Sequence, residues 1–319
     1  MTSKNVKLIN VLFFLISSIS FSQTVSSIVV DNSTLDENGG VAVITATIDA
    51  ASSNDVKIPF SLSGTATDGL DYTSAFASKG TSTVAGGNIE PGSLNNELSN
   101  PYGFDVDALG NMYIADRYNH RIVKWEPGAT EGVVVAGGNG NGSANNQFSN
   151  PFDVEVDVSG NLFITDTGNH RVMKWEPDAT SGTVVAGSGS SGNGPGNLHS
   201  PYNSFLDSSG NLYVADNNNH RIMKWDSGAS SGTVVAGGNG QGSNNNQFNY
   251  VNDVFVDSSG NIYVSDGNNH RVMKWVPEAS EGIVVAGGNG QGAGLNQFYQ
   301  PYGLYIDSDD NLFVSDSNN

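Results

Sequence analysis

The chain has 319 residues, with 32 acidic and 13 basic side chains, a net charge of −19 and no cysteine. The missing thiols exclude cysteine nucleophiles, disulfides and zinc–thiolate sites. The acidic balance disfavours nucleic acid and anionic lipid as partners. Glycine stands at 40 residues while charged residues make up only 14%, which fits a turn-rich all-β chain once a repeat is found in it.

Residues 1–22 read as a signal peptide. Lys4 and Lys7 precede the apolar run Val11-Leu12-Phe13-Phe14-Leu15-Ile16, and small residues follow through Ser22; this is the charge, core and small-residue order of a secretory signal. The run is far short of the ~20 residues of a membrane span. No other stretch is long enough, so no transmembrane segment is expected beyond the signal. The expected location is extracellular or at the cell surface, and the lack of cysteine favours an exported bacterial chain with self-sufficient cores.

Residues 23–80 do not share the periodicity of the rest of the chain. Strands are expected at 27–31, 40–47 and 55–62. Leu35-Asp36-Glu37-Asn38-Gly39-Gly40 and Ser63-Gly64-Thr65-Ala66-Thr67-Asp68-Gly69-Leu70-Asp71-Tyr72 resemble a Calx-beta domain, an immunoglobulin-like β-sandwich. The resemblance implies that Glu37 and Asp71 match calcium-binding positions of that family. Its remaining ligands lie in a second half for which this chain has no counterpart, so the domain is expected to be partial. Two carboxylates fall short of the 6–8 oxygens calcium takes. Glu37 and Asp71 are either turn residues or part of an incomplete calcium site, and calcium is the one possible cofactor.

From residue 81 the chain repeats. Asn-His-Arg recurs at His120, His170, His220 and His270, and Trp125, Trp175, Trp225 and Trp275 keep the same step. Pro101, Pro151, Pro201 and Pro301 open each unit, with Val251 standing in once. Each unit reads as four short strands between Gly/Asn/Asp turns. Strands are expected near 103–107, 112–116, 120–125 and 133–136, shifting by fifty. Four strands per unit make a propeller blade, stacked on its neighbours to form a core. A strand at 82–85 is expected to serve as the outer strand of the last blade. Ser317-Asn318-Asn319 stops one residue before the register requires another His, so the last blade is expected to be truncated. The Gly/Asn-rich loops between units read as flexible linkers.

The run Pro151-Phe152-Asp153-Val154-Glu155-Val156-Asp157, then Gly160-Asn161-Leu162-Phe163-Ile164-Thr165-Asp166, then Asn169-His170-Arg171-Val172 resembles the NHL repeat. The expected fold is all-β: an NHL-type propeller of about five four-stranded blades over 81–319, preceded by the partial sandwich. The resemblance implies that the first strand of each unit lies nearest the axis.

No catalytic set converges in this pattern. The four register histidines are spread around a ring, whereas zinc needs three or four ligands about one point. They are expected to shape their turns with Asn, while Asp116, Asp166, Asp216 and Asp266 cap the turn or pair with the nearby Arg. Trp is expected to pack between blades. There remains a surface. Tyr102, Phe152, Tyr202 and Tyr302 follow the unit-opening position near the axis, ringed by Asn and Gln. They either plug the axial core or form a ligand platform, for which aromatic faces and amide donors suit an extracellular glycan, peptide or protein. The function expected is a secreted or cell-surface binding or adhesion scaffold and not an enzyme. The rival is a propeller lyase or hydrolase with an axial metal.

Overall fold

The computed structural model describes strands 24–31 and 43–50, residues 84–86, and residues 91–319 except 308. The chain divides into two compact units, residues 1–82 and 83–319. In the first, β1 (Thr24–Asp31) pairs antiparallel with β2 (Val43–Ala50). The signal segment, the strand expected at 55–62, Glu37 and Asp71 lie outside the described residues.

The second unit is a β-propeller. Its first sheet runs β3 (Phe104–Val106), β4 (Met112–Asp116), β5 (Arg121–Trp125) and β6 (Val133–Gly137). The second runs β7 (Pro151–Val156), β8 (Leu162–Asp166), β9 (Arg171–Trp175) and β10 (Thr183–Ala186). The third holds β11 (Ser204–Leu206), β12 (Leu212–Asp216), β13 (Arg221–Trp225) and β14 (Thr233–Gly237). The fourth holds β15 (Val251–Val256), β16 (Ile262–Asp266), β17 (Arg271–Trp275) and β18 (Ile283–Gly287). A fifth sheet pairs β19 (Pro301–Ile306) with β20 (Leu312–Asp316). All five are antiparallel, with strands in sequence order. The first strand of each sheet touches the first strand of the next. The expected strands recur almost residue for residue.

Apolar side chains point to both faces of the second, third and fourth sheets because neighbours cover both faces, whereas the fifth sheet leaves Tyr305 and Phe313 exposed. Tyr113, Ala115, Ile122 and Ala136 of the first sheet pack against Val154, Leu162, Ile164, Met173 and Trp175 of the second, with Phe148 of the connecting loop between them. Trp175 meets Phe148 at 5.2 Å between ring centroids, and Trp275 meets Phe248 at 4.7 Å. The tryptophans therefore pack between blades, as expected. Ala85 and Leu98 pack in the same way against Ile114, Val123 and Trp125. Val84 and Ala85 are not in a strand, contrary to expectation.

The Asp…Asn-His-Arg segment ties each unit to the loop before it. In the second unit, Asp166 is fully buried and its Oδ2 accepts from Arg171 Nε at 2.8 Å and Asn169 Nδ2 at 2.8 Å. Its Oδ1 accepts the Ser149 N–H at 2.7 Å. Arg171 then donates to the carbonyls of Ser143, Ala144 and Gln147 at 3.0–3.1 Å. Arg121, Arg221 and Arg271 make the equivalent ion pairs with Asp116, Asp216 and Asp266. The loops expected to be flexible linkers are thus folded around the guanidinium. Gly137 sits at φ +72°, where a Cβ would also lie 2.6 Å from the His120 carbonyl; its glycine serves a fixed turn rather than mobility.

The histidines link forward. Each lies in the left-handed region (φ 52–54°) after a short 3-10 turn. His120, His170 and His220 Nδ1 accept the N–H of Asn150, Ser200 and Tyr250 at 3.0–3.1 Å. An accepting Nδ1 fixes the neutral Nε2–H tautomer. Burial, and then His199, holds the His170 imidazole below its ordinary pKa, which keeps that acceptor available at neutral pH.

Replacing Arg171 by Leu leaves the Asp166 carboxylate buried and unpaired, a change that costs ~3–5 kcal/mol. Urea denaturation of R171L should show that loss. K174L, at a half-buried lysine on the same strand, should stay within ~1 kcal/mol of the parent.

Candidate functional site

Tyr102 and Tyr202, just before β3 and β11, and Phe152 and Tyr302, on β7 and β19, come together at one end of the axis. Phe152 lies 4.2 Å from Tyr102 and 4.4 Å from Tyr202 between ring centroids. Tyr302 closes the group, 5.4 Å from Tyr102 and 6.3 Å from Tyr202. The fifth residue of this column, Asn252, is buried and donates to the Pro301 carbonyl at 2.9 Å. The rings divide their roles: Phe152 is 3% exposed and Tyr102 is 40% exposed. Burial, and then the neighbouring Tyr102, pushes the Tyr302 phenol far upward, so it is a neutral hydroxyl at any physiological pH.

Arg117 lies over this cluster. Its guanidinium carbon is 4.4 Å from the Phe152 ring centroid, 5.1 Å from that of Tyr118 and 5.4 Å from that of Tyr102. Nη1 donates to Asn100 Oδ1 at 3.1 Å, and Nε is buried without a partner. Sequence reasoning did not single out Arg117. The signal that could have found it is a break in the repeat. The 117 column reads Arg117, Thr167, Asn217, Gly267, Ser317, and the 118 column reads Tyr118, Gly168, Asn218, Asn268, Asn318. The columns at 99, 100 and 102 vary as well, whereas Asp116 and Asn119 recur unchanged in all five units. The blades are copies in their scaffold and differ at this end of the axis.

Deeper along the first strands are four carboxylates that sequence reasoning also passed over. Asp105 accepts the Val156 N–H at 2.8 Å, Asp153 the Ser204 N–H at 2.9 Å and Asp253 the Leu304 N–H at 2.6 Å. Each bond crosses from one first strand to the next. A first strand is the inner edge of its sheet, with N–H groups that no further strand pairs, and these carboxylates satisfy them. Burial pushes Asp153 up to about 7, opposed by the Ser204 N–H and reinforced by Asp253. Burial likewise lifts Asp253 to about 6. Glu155 is pushed well above the usual carboxylate range by burial and by Asp153, Asp105 and Asp253. Among the described residues no group of three or more His, Asp or Glu is arranged to hold a metal. The four register histidines are engaged separately, one at each unit's exit. Glu37 and Asp71 lie outside the described residues.

The model of the NHL repeat matches residues 206–225 and 248–275. No curated protein sequence matches the chain. An auxiliary nutrient binding protein from Bacteroides thetaiotaomicron superposes with a TM-score of 0.53 at 15% identity, over 70% of this chain and 58% of its own. This chain therefore spans little more than half of that protein. A chain of the nidogen/laminin complex gives 0.52 at 18% identity, over 68% of this chain and 72% of its own. Virginiamycin B lyase from Staphylococcus aureus gives 0.42 at 12% identity, over 71% and 67%. The strand order above and the first two superpositions define the second unit as a β-propeller, within which the NHL-repeat model matches residues 206–225 and 248–275.

The folded-state pKa of Asp153 lies above its unfolded value near 3.8. The native state therefore holds a proton that the unfolded chain has released, and this group's contribution to stability falls between about pH 4 and pH 7. D153N keeps an oxygen for the Ser204 N–H and removes the charge. Its melting temperature should exceed the parent's by roughly 3–6 °C at pH 8. The gap should close as pH falls from 7 to 4, checked by thermal melts across that range.

Proposed function

We propose that this chain is an exported binding scaffold whose propeller presents the axial aromatic end to a ligand. The observation that carries the reading is the convergence of Tyr102, Phe152, Tyr202 and Tyr302, with Phe152 as a buried floor and Tyr102 open to solvent. Amide side chains adjoin it: Asn100 bonds Arg117, and Gln300 Nε2 bonds Asn268 Oδ1 at 3.0 Å. Such a surface offers flat faces for stacking and amide groups for hydrogen bonding, the requirements of a glycan or short peptide. Repetition in the Asp, Asn-His-Arg and Trp scaffold positions, set against variation at this end, supports the same reading, because a scaffold is served by identical blades and a site by different ones. The nutrient binding protein lends only its fold to the argument. The signal-like residues 1–22 support export, and the Calx-beta resemblance supports a surface-adhesion setting in which Glu37 and Asp71 would contribute to a calcium site.

Y102A removes an exposed ring at little structural cost. Titration calorimetry against a panel of neutral oligosaccharides and short peptides should find a ligand for the parent. Y102A should bind it about tenfold more weakly, a loss of ~1.4 kcal/mol, with its melting temperature unchanged within about 2 °C. Full affinity in both Y102A and Y202A would remove this end of the axis as the site.

A further inference from the structure

Eight of the nine basic residues from 91 onward obey the fifty-residue register. Arg121, Arg171, Arg221 and Arg271 are locked into buried ion pairs. Lys124, Lys174, Lys224 and Lys274 lie on the third strands. Arg117 is the ninth and stands outside both sets. No carboxylate neutralises it among the described residues, and its single hydrogen bond is to a neutral amide. In a chain of net charge −19, an unpaired cation resting on aromatic rings at the binding end needs an explanation. Its Cζ lies over the ring faces, where a cation is attracted to the π-system; with Nε buried and Nη1 bonded to Asn100, Nη2 and the second Nη1 hydrogen are left to a partner.

We propose that Arg117 reads the carboxylate of an acidic sugar, so that the ligand is a short oligosaccharide ending in a uronic acid. This rests on the aromatic end being the binding site. A guanidinium edge matches a carboxylate in a charge-assisted hydrogen-bonded pair. Tyr102 and Tyr118, both exposed beside Arg117, supply faces for the sugar ring carrying that carboxylate. The charge of the whole chain limits ligand size. Long polyuronates are repelled by the acidic surface, whereas one terminal carboxylate meets only the local cation. A sugar is favoured over a peptide terminus because the surroundings are flat rings and amides, with no carboxylate beside Arg117 to receive a peptide's positive groups.

The test uses cellobiuronic acid, its neutral counterpart cellobiose, and trialanine as a free peptide carboxylate, titrated into the full chain by calorimetry. The parent should bind cellobiuronic acid at least tenfold tighter than cellobiose, and the difference should shrink between 50 and 500 mM salt. R117Q should bind the two sugars equally, and R117K should recover part of the preference, since it restores charge without the fork. Thermal melts of both variants confirm folding. Equal binding of both sugars by the parent, weakened alike in Y102A, overturns the role of Arg117 and leaves the aromatic site standing. Arg117-dependent binding of trialanine in place of either sugar overturns the sugar assignment. Binding of neither sugar nor peptide overturns the acidic-sugar assignment, while a panel ligand sensitive to Y102A would still uphold the aromatic site.

Discussion

The buried Asp–Arg pair governs the architecture. Asp166 has no access to water and is neutralised by Arg171, whose remaining donors are spent on carbonyls of the preceding loop. Hydrophobic contact between blades is non-directional and would tolerate small slides of one sheet over another. A guanidinium that must meet a carboxylate on one side and three carbonyls on the other does not. The interblade register is therefore set by charge and hydrogen-bond geometry, and the Trp175–Phe148 contact fills the space that this geometry defines.

The axis is held by a second polar device with a different logic. Carboxylates at the inner edges serve neighbouring backbone N–H groups, and at Asp153 and Asp253 burial favours their protonated forms. The acid near the axis is thus largely committed to joining strands. At the open end of the same axis the clustered side chains are the aromatic rings, with Arg117 over them and amides such as Asn100 and Gln300 beside them. The chemistry of that end differs from the acidic average of the chain, and composition alone gave the wrong impression of it.

Strand positions and the all-β repeat were legible because the pattern of Gly, Asn and Trp recurs from unit to unit and strand geometry follows from local residue types. Pairing of Asp166 with Arg171 was legible for the same reason. The loops were misread: glycine-rich composition suggests mobility, yet Gly137 and its neighbours occupy fixed turns closed by bonds within the loop, to His120 of their own unit and to the next unit's arginine. The aromatic column was found because it is periodic. Arg117, Asp153, Glu155 and Asp253 were passed over because a reading by period attends to residues that recur, and these break the column they stand in. Asp153 shares its column with Gly103 and Asn203, and its bond to Ser204 spans 51 residues, a separation no local pattern displays.

The histidine at each unit's exit bonds a backbone N–H 30 residues onward, and the arginine behind it reaches 24 to 28 residues backward. Every such link is shorter than one repeat and runs from a donor later in the chain to an acceptor earlier in it. Cutting out any window between two equivalent positions would rejoin each donor to a chemically identical acceptor. In these joints the molecule is a polar, head-to-tail polymer in miniature, in which whole units can be gained or lost without the histidine and arginine links having to be reinvented. The residues that individualise the blades, at the aromatic end and along the inner edges, would record the event.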